Sequence, residues 1–326
     1  MTVMVTGGMG AMGAATARRL VEMGQTPVIF DVFEDYSLLS DIADKVRFKP
    51  GSVLDYGQLV GAIKDHGVTR LVHTVALLTR ADPKKAIAIN LNGTINALWA
   101  AQECKLKRLV YLSSKAAFSE VTGPHAHPDY VPIDENYPTE SPLGIYGVTK
   151  RCGEQLGLQF HKTMGVDFIG LRFATTFGPG RLSKNPNSPM VVPCRIIEAA
   201  MAGKPFYYPH GGDQKDDYIY TRDVGQGIVC ALFVENPAHR IFNVGTGKGS
   251  TLRDFVRATQ KLYPDFKAQI GDGLDNARIG FQFYSVYNIS RARRELGYNP
   301  QYDLERAVAD YVESMRRLKV EPTVLE

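Results

Sequence analysis

The chain is poor in cysteine, in tryptophan and in net charge. Its four cysteines, Cys104, Cys152, Cys194 and Cys230, are spread over 326 residues, no two closer than 36 positions. That spacing excludes zinc-ribbon and CxxC redox arrangements and fits reduced thiols in a cytoplasmic protein. Lys plus Arg number 38 against 34 Asp plus Glu, a formal net charge of +4, with the basic residues scattered. Neither nucleic acid nor a membrane surface is therefore expected as a partner. No run is apolar enough to span a bilayer, since the longest uncharged stretch, Ala86 to Gln102, carries Asn90, Asn92 and Asn96. The N-terminus has neither a basic region nor an apolar signal core and opens into a β-rich run. What is present is ordinary for a globular chain: 44% hydrophobic, 22% charged and 10% aromatic residues. The length suits about two domains or one large α/β unit.

Strand-like and helix-like runs alternate through the first half. Thr2 to Thr6, Pro27 to Asp31, Val46 to Phe48, Arg70 to Val75 and Arg108 to Leu112 read as strands, with Ala11 to Met23 and Pro83 to Cys104 among the helices between them. Asp82 is placed to cap the second of these helices, and Pro83 to occupy its first position. Such alternation predicts a parallel sheet covered on both faces. Glu120 to Pro142 interrupts it with five prolines and no periodicity, as expected of a functional or mobile loop. Leu143 to Met164 then reads as a helix and Asp167 to Phe173 as a strand. Beyond Gly178 the elements shorten, which predicts a smaller C-terminal lobe with the chain crossing more than once.

Gly7, Gly10 and Gly13 follow the first strand directly and open a helix. Glycines there permit a tight turn, close approach of backbone to a pyrophosphate and close packing of helix on sheet, while the helix N-terminus supplies N–H donors. No Lys-Ser/Thr pair follows, as a P-loop would require. Asp31 ends the second strand, where a carboxylate can accept from both ribose hydroxyls and repel a 2′-phosphate, so NAD is expected over NADP. Tyr146 and Lys150 are four apart on a helix and so share a face. A cation near a tyrosine favours its phenolate, which can take a proton from a substrate hydroxyl as hydride leaves. Ser113 and Ser114 end a strand at the edge where parallel sheets hold ligands.

Together these residues resemble the extended short-chain dehydrogenase/reductase family, the NAD-dependent epimerase/dehydratase group, and sugar 4-epimerases within it. The resemblance rests on TGGMGAMG (Thr6 to Gly13), Asp31, NLNGTINALWAA (Asn90 to Ala101), RLVYLSSKAAF (Arg108 to Phe118), YGVTK (Tyr146 to Lys150) and LRFATTFGPG (Leu171 to Gly180). It extends to DYIYTRDV (Asp217 to Val224), FNVGTG (Phe242 to Gly247) and ELGYNP (Glu295 to Pro300), in the family's order and across nearly the whole chain. It implies an α/β fold, a Rossmann-type doubly wound parallel sheet with a smaller C-terminal α/β substrate lobe. Residues 1–177 would form the NAD-binding domain, with about 217–247 returning to it, and 178–326 mainly the substrate lobe. It also implies a catalytic set of Ser114 to polarise the reacting oxygen, Tyr146 as acid/base and Lys150 to lower the tyrosine pKa and hold the nicotinamide ribose. NAD would be met by Gly7, Gly10, Ala11, Met12, Gly13, Asp31, Ser52, Val53, Val75, Ala76 and Asn90.

Substrate positions depart from the pattern. Thr175 stands where the family has a substrate Asn, and Asp216 where it has an Arg for a sugar diphosphate, while Arg278 keeps the second Arg. Ser114, Thr175, Asp216 and Arg278 are the expected substrate contacts, with Lys215 available to compensate Asp216. Lys115 and Ala116 replace the Asp-Glu pair of sugar 4,6-dehydratases, which argues against that activity. His125 and His127 are expected on a loop over the substrate mouth and not as metal ligands. The stripe Ile87, Leu91, Ile95 and Leu98 suits a core or dimer face, and the resemblance implies a homodimer. Three readings stay open: an NAD-dependent epimerase acting on a secondary hydroxyl of a sugar or sugar-like substrate, a dehydrogenase of a non-nucleotide hydroxy substrate, and an NAD-binding regulatory or scaffold protein.

Overall fold

A computed structural model describes residues 1–78, 82–186 and 188–324. The chain begins β1 (Thr2–Thr6), α1 (Ala11–Glu22), β2 (Val28–Asp31), β3 (Arg47–Pro50), α2 (Tyr56–Asp65) and β4 (Val68–His73). One long helix follows, made of α3 (Pro83–Ile87), a π-turn (Ala88–Asn92) and α4 (Gly93–Glu103). Asp82 caps it by accepting from Lys85 N at 2.9 Å, with Pro83 in the first turn, as the sequence predicts. Then come β5 (Arg108–Ser114), α5 (Gly144–Met164), β6 (Phe168–Phe173), β7 (Thr175–Phe177), α6 (Arg181–Lys184) and α7 (Val192–Met201). The C-terminal part holds β8 (Phe206–Tyr208), β9 (Asp216–Tyr220), α8 (Thr221–Phe233), β10 (Ile241–Val244), β11 (Gly249–Ser250), α9 (Leu252–Gln260), β12 (Ala268–Ile270), α10 (Ser290–Leu296) and α11 (Leu304–Leu318).

Seven strands form one parallel sheet in the order β10-β6-β5-β4-β1-β2-β3. The order reverses between β1 and β4, and a crevice opens there at the C-terminal strand ends. Its strands are buried on both faces: Val3, Val5, Val72, Val110 and Ile169 pack toward α1 and α8. Met4, Phe30, Leu71, Leu109 and Phe168 pack toward α2, α4 and α5. Crossover helices covering both faces leave strands no solvated side, which is why the strand runs read as continuous rather than alternating. A second apolar cluster joins α7, α9 and α11 with Phe177, Tyr218 and Tyr220. Beside it lie a three-stranded sheet, β11-β9-β7, and the pair β12-β8.

The proline-rich stretch 120–142 is anchored rather than loose. Val121 N donates to Gln282 O at 3.0 Å, Ile133 N to Val286 O at 2.9 Å, and Asn288 N to Ile133 O at 2.8 Å. Buried Glu135 also accepts from Asn243 N at 2.9 Å. Backbone pairing to residues 282–288 replaces the periodicity that the prolines preclude.

Candidate active site

A cavity of about 1150 Å³ runs along the C-terminal strand ends, from Asp31 and Phe33 past the glycine loop to Tyr146 and Lys150. Gly7 turns with φ +69° while its N–H donates to Phe30 O at 2.9 Å. A Cβ at Gly13 would stand 2.3 Å from Gly7 O, so only glycine allows α1 to start this close to the turn. No side chain caps α1, and Ala11, Met12 and Gly13 line the cavity, leaving first-turn N–H groups for an anion. Asp31 accepts from Met9 N at 3.0 Å and Val32 N at 2.8 Å, which fixes its carboxylate beside the loop. Ser52, Val53, Val75 and Ala76 line the same cavity. A cradle of this shape fits a dinucleotide.

Asn90 does not line the cavity. It is buried in the π-turn, where its amide accepts from Leu77 N at 2.8 Å and donates to Leu77 O at 3.0 Å and Thr149 Oγ1 at 3.1 Å. Its effect on a cofactor would pass through the backbone after β4, because the extra residue of the π-turn aims the side chain inward at that segment.

Ser114, at the end of β5, Tyr146 in the first turn of α5, and Lys150 one turn on meet at the cavity's inner end. Lys150 is buried; its Nζ donates to Leu112 O at 2.6 Å and sits 5.6 Å from the centre of the Tyr146 ring. Burial pulls its pKa down to about 7, although the Glu154 carboxylate pulls the other way. Glu154 is itself held by Arg172, through Nε at 2.8 Å, and by Ser113 Oγ at 2.6 Å. Burial raises the pKa of Tyr146, opposed first by the charge of Arg181 and then by a hydrogen bond with Ser114. Arg181 is thus a cation that acts on the tyrosine and that the sequence does not single out. Arg181 lies 35 positions from Tyr146 on a four-residue helix with no repeating pattern.

Asp216 requires a correction. It is 1% exposed and does not line the cavity. Its carboxylate accepts from Lys115 Nζ at 2.6 and 2.7 Å, from Thr175 Oγ1 at 2.5 Å and from Ser285 N at 3.1 Å. Lys215 is not its partner; Lys115 is. Two of the positions that depart from the family pattern, Lys115 and Asp216, neutralise each other, because a carboxylate buried this deeply requires a cation. Lys115 and Thr175 remain in the cavity wall, with the Lys115 ammonium 4.3 Å from the centre of the Phe283 ring. Arg278 also lines the cavity, and its Nε contacts His210 Nε2 at 3.4 Å.

Neither loop histidine lines the cavity. His125 Nδ1 is 2.8 Å from Val131 O, and His127 packs edge-on against Tyr130. Among the described residues no cluster of His, Cys, Asp or Glu is arranged to hold a metal.

The model of the NAD-dependent epimerase/dehydratase family matches residues 3–245. A putative UDP-glucose 4-epimerase of Methanocaldococcus jannaschii is 26% identical over 322 residues, 96% of this chain and 98% of that protein. The NAD complex of the Thermus thermophilus UDP-glucose 4-epimerase superposes with a TM-score of 0.78 at 23% identity, covering 97% of this chain and 99% of that one. A partial consensus L-threonine 3-dehydrogenase gives 0.81 at 22% identity, covering 97% and 100%. At these identities the two solved structures establish the fold.

Proposed function

The chain belongs to the NAD-dependent epimerase/dehydratase family, and from that premise we propose that it oxidises a secondary hydroxyl of a sugar or sugar-like substrate in an epimerase-type cycle. One observation carries this reading: Ser114, Tyr146 and Lys150 line a single cavity with the glycine loop and Asp31. The glycine loop, Asp31 and Lys150 would hold NAD in this cavity, where it would supply reversible hydride acceptance from the substrate carbon. Ser114 donates to the reacting oxygen and Tyr146 takes its proton. Lys150, tethered to Leu112 O, holds a ribose hydroxyl and biases the phenol toward ionisation. Asp31 holds the adenosine ribose and repels a 2′-phosphate. In this reading residues 1–177 with about 217–247 form the NAD-binding domain, and the remainder is mainly the substrate lobe.

The Lys115–Asp216 pair favours a second reading, a net dehydrogenase of a non-nucleotide substrate, because it takes away one cation a diphosphate would use. A homodimer through the α4–α5 face belongs to the proposal: apolar Trp99 on α4 is 42% exposed and apolar Val148 on α5 is 45% exposed. Leu98 of the apolar stripe is fully buried, so only part of it remains for a partner. Among the described residues no helix is long and apolar enough to cross a membrane. The four thiols are free, which suits the reducing cytoplasm we assign.

The test is turnover of UDP-glucose and free sugars with NAD, following both the epimeric product and NADH absorbance. Epimer without net NADH supports the first reading, and stoichiometric NADH the second. Tyr146→Phe is expected to lower kcat by about 10² or more with the NAD dissociation constant unchanged. NAD binding without any turnover across a broad sugar panel would leave only a regulatory role.

A further inference from the structure

The cavity's charges are almost all spoken for. Of the five cations that line it among the described residues, Lys115 is paired with Asp216, Lys184 with Asp35, and Lys150 is buried against Leu112 O. Arg278 sits at the exposed rim beside His210. Arg181 alone is both half-buried and, among the described residues, without a carboxylate partner. A single bond, Nε to Thr176 O at 3.3 Å, holds its guanidinium, leaving the terminal N–H groups for a ligand. Those groups form a planar fork that matches a carboxylate in a two-point contact.

Position adds a second constraint. Arg181 is tied to Thr176 O, next to Thr175, whose hydroxyl meets Lys115, the neighbour of Ser114, and all of these line one cavity with Tyr146, so an anion on Arg181 lies on the side of the cavity that holds Ser114; the Arg181 charge also acts on the Tyr146 phenol. The wall on that side is the neutralised Lys115–Asp216–Thr175 cluster, which offers no competing free charge. Leaving a half-buried guanidinium without its anion is costly, and so the site discriminates against neutral substrates.

We propose that Arg181 binds a carboxylate of the substrate next to the hydroxyl that Tyr146 deprotonates, so that the substrate is a sugar acid. This rests on the reading of Tyr146 as the acid/base. The carboxylate can belong to a free acid or to a nucleotide-linked one, and the two sources are separable by experiment.

The test is calorimetric binding of four probes to the NAD-saturated protein: D-glucuronate, D-glucose, UDP-glucuronate and UDP-glucose. The acid is expected to bind at least tenfold more tightly than its neutral counterpart in at least one pair, the free pair or the UDP pair identifying the source. Arg181→Gln is expected to bring that ratio close to one, and Arg181→Lys to retain part of it, with NAD affinity unchanged in both. A ratio near one in both pairs for the parent overturns the proposal, as does a ratio that survives Arg181→Gln. Tyr146-dependent turnover of neutral sugars with no acid preference would sink this inference while keeping the oxidoreductase. An Arg181-dependent acid preference with no turnover by any probe would keep the carboxylate site and sink the oxidoreductase.

Discussion

Lys150 carries a thermodynamic signature that can be read without substrate. Its folded pKa, about 7, lies below the ordinary value of 10.5. Between these pH values the unfolded chain holds a proton that the folded chain has released, so stability rises with pH across that window and is flat below it. The slope contributed by one such group is at most about 1.4 kcal/mol per pH unit. In the cofactor-free protein, the parent is expected to gain stability over Lys150→Met as pH rises from 7 to 10, measured by urea unfolding. Equal pH profiles for the two proteins would contradict a depressed pKa. At this scale the sequence is informative about identities and silent about environments. The four-residue spacing of Tyr146 and Lys150 is plain to read. That burial pushes their pKa values in opposite directions, and that Arg181 is the opposing charge on the tyrosine, depends on neighbours from β5 and α6 that no local pattern records.

Among the elements, the helix through α3 and α4 shows where such legibility stops. Its cap at Asp82 and its start at Pro83 follow from composition, but the π-turn at its centre does not, because one extra residue per turn leaves no mark in hydrophobic period. Asn90 depends on that turn, and three hydrogen bonds end on its amide. Asn90→Ala is expected to leave the Leu77 backbone unsatisfied, at a stability cost of roughly 1–3 kcal/mol. NAD binding should weaken as the cavity wall at Val75 to Leu78 loosens. Thermal melts with and without NAD check both, and an unchanged NAD affinity would show that the wall holds its shape without Asn90. Residues 120–142 show the opposite case. Their prolines signal a loop correctly, but its partners lie about 150 residues downstream, and separation on that scale hides the backbone pairing that fixes it.

For the whole molecule the decisive contact joins residues 101 positions apart, Lys115 and Asp216. Each reads in sequence as a missing family residue, and only the fold reveals a pair. Removing one partner strands the other charge in the interior. Lys115→Met is therefore expected to cost about 3–5 kcal/mol, and Asp216→Arg to destabilise at least as much by placing two cations together. The double variant Lys115→Met/Asp216→Asn should recover most of the loss. Urea unfolding of these proteins and of Asp216→Asn alone decides it, since losses in Lys115→Met and Asp216→Asn that simply add in the double variant would mean the pair contributes no coupling.

The return of β10 to the edge of β6 also sets an order of events during synthesis. Phe173 ends β6, and Val244 ends its partner 71 residues later, counting from 173 to 244. A ribosome adding about 5–20 residues per second needs roughly 4–14 s to make that stretch. Throughout that interval the nascent chain carries an open strand edge at β6 and, until α8 is completed at Phe233, an uncovered apolar face on α1. Such an edge can pair with any other extended chain nearby. The same connection that ties the two parts of this molecule together thus makes its birth the moment of greatest exposure, and a chaperone that holds chains of about 175 to 245 residues is where help in folding would count most.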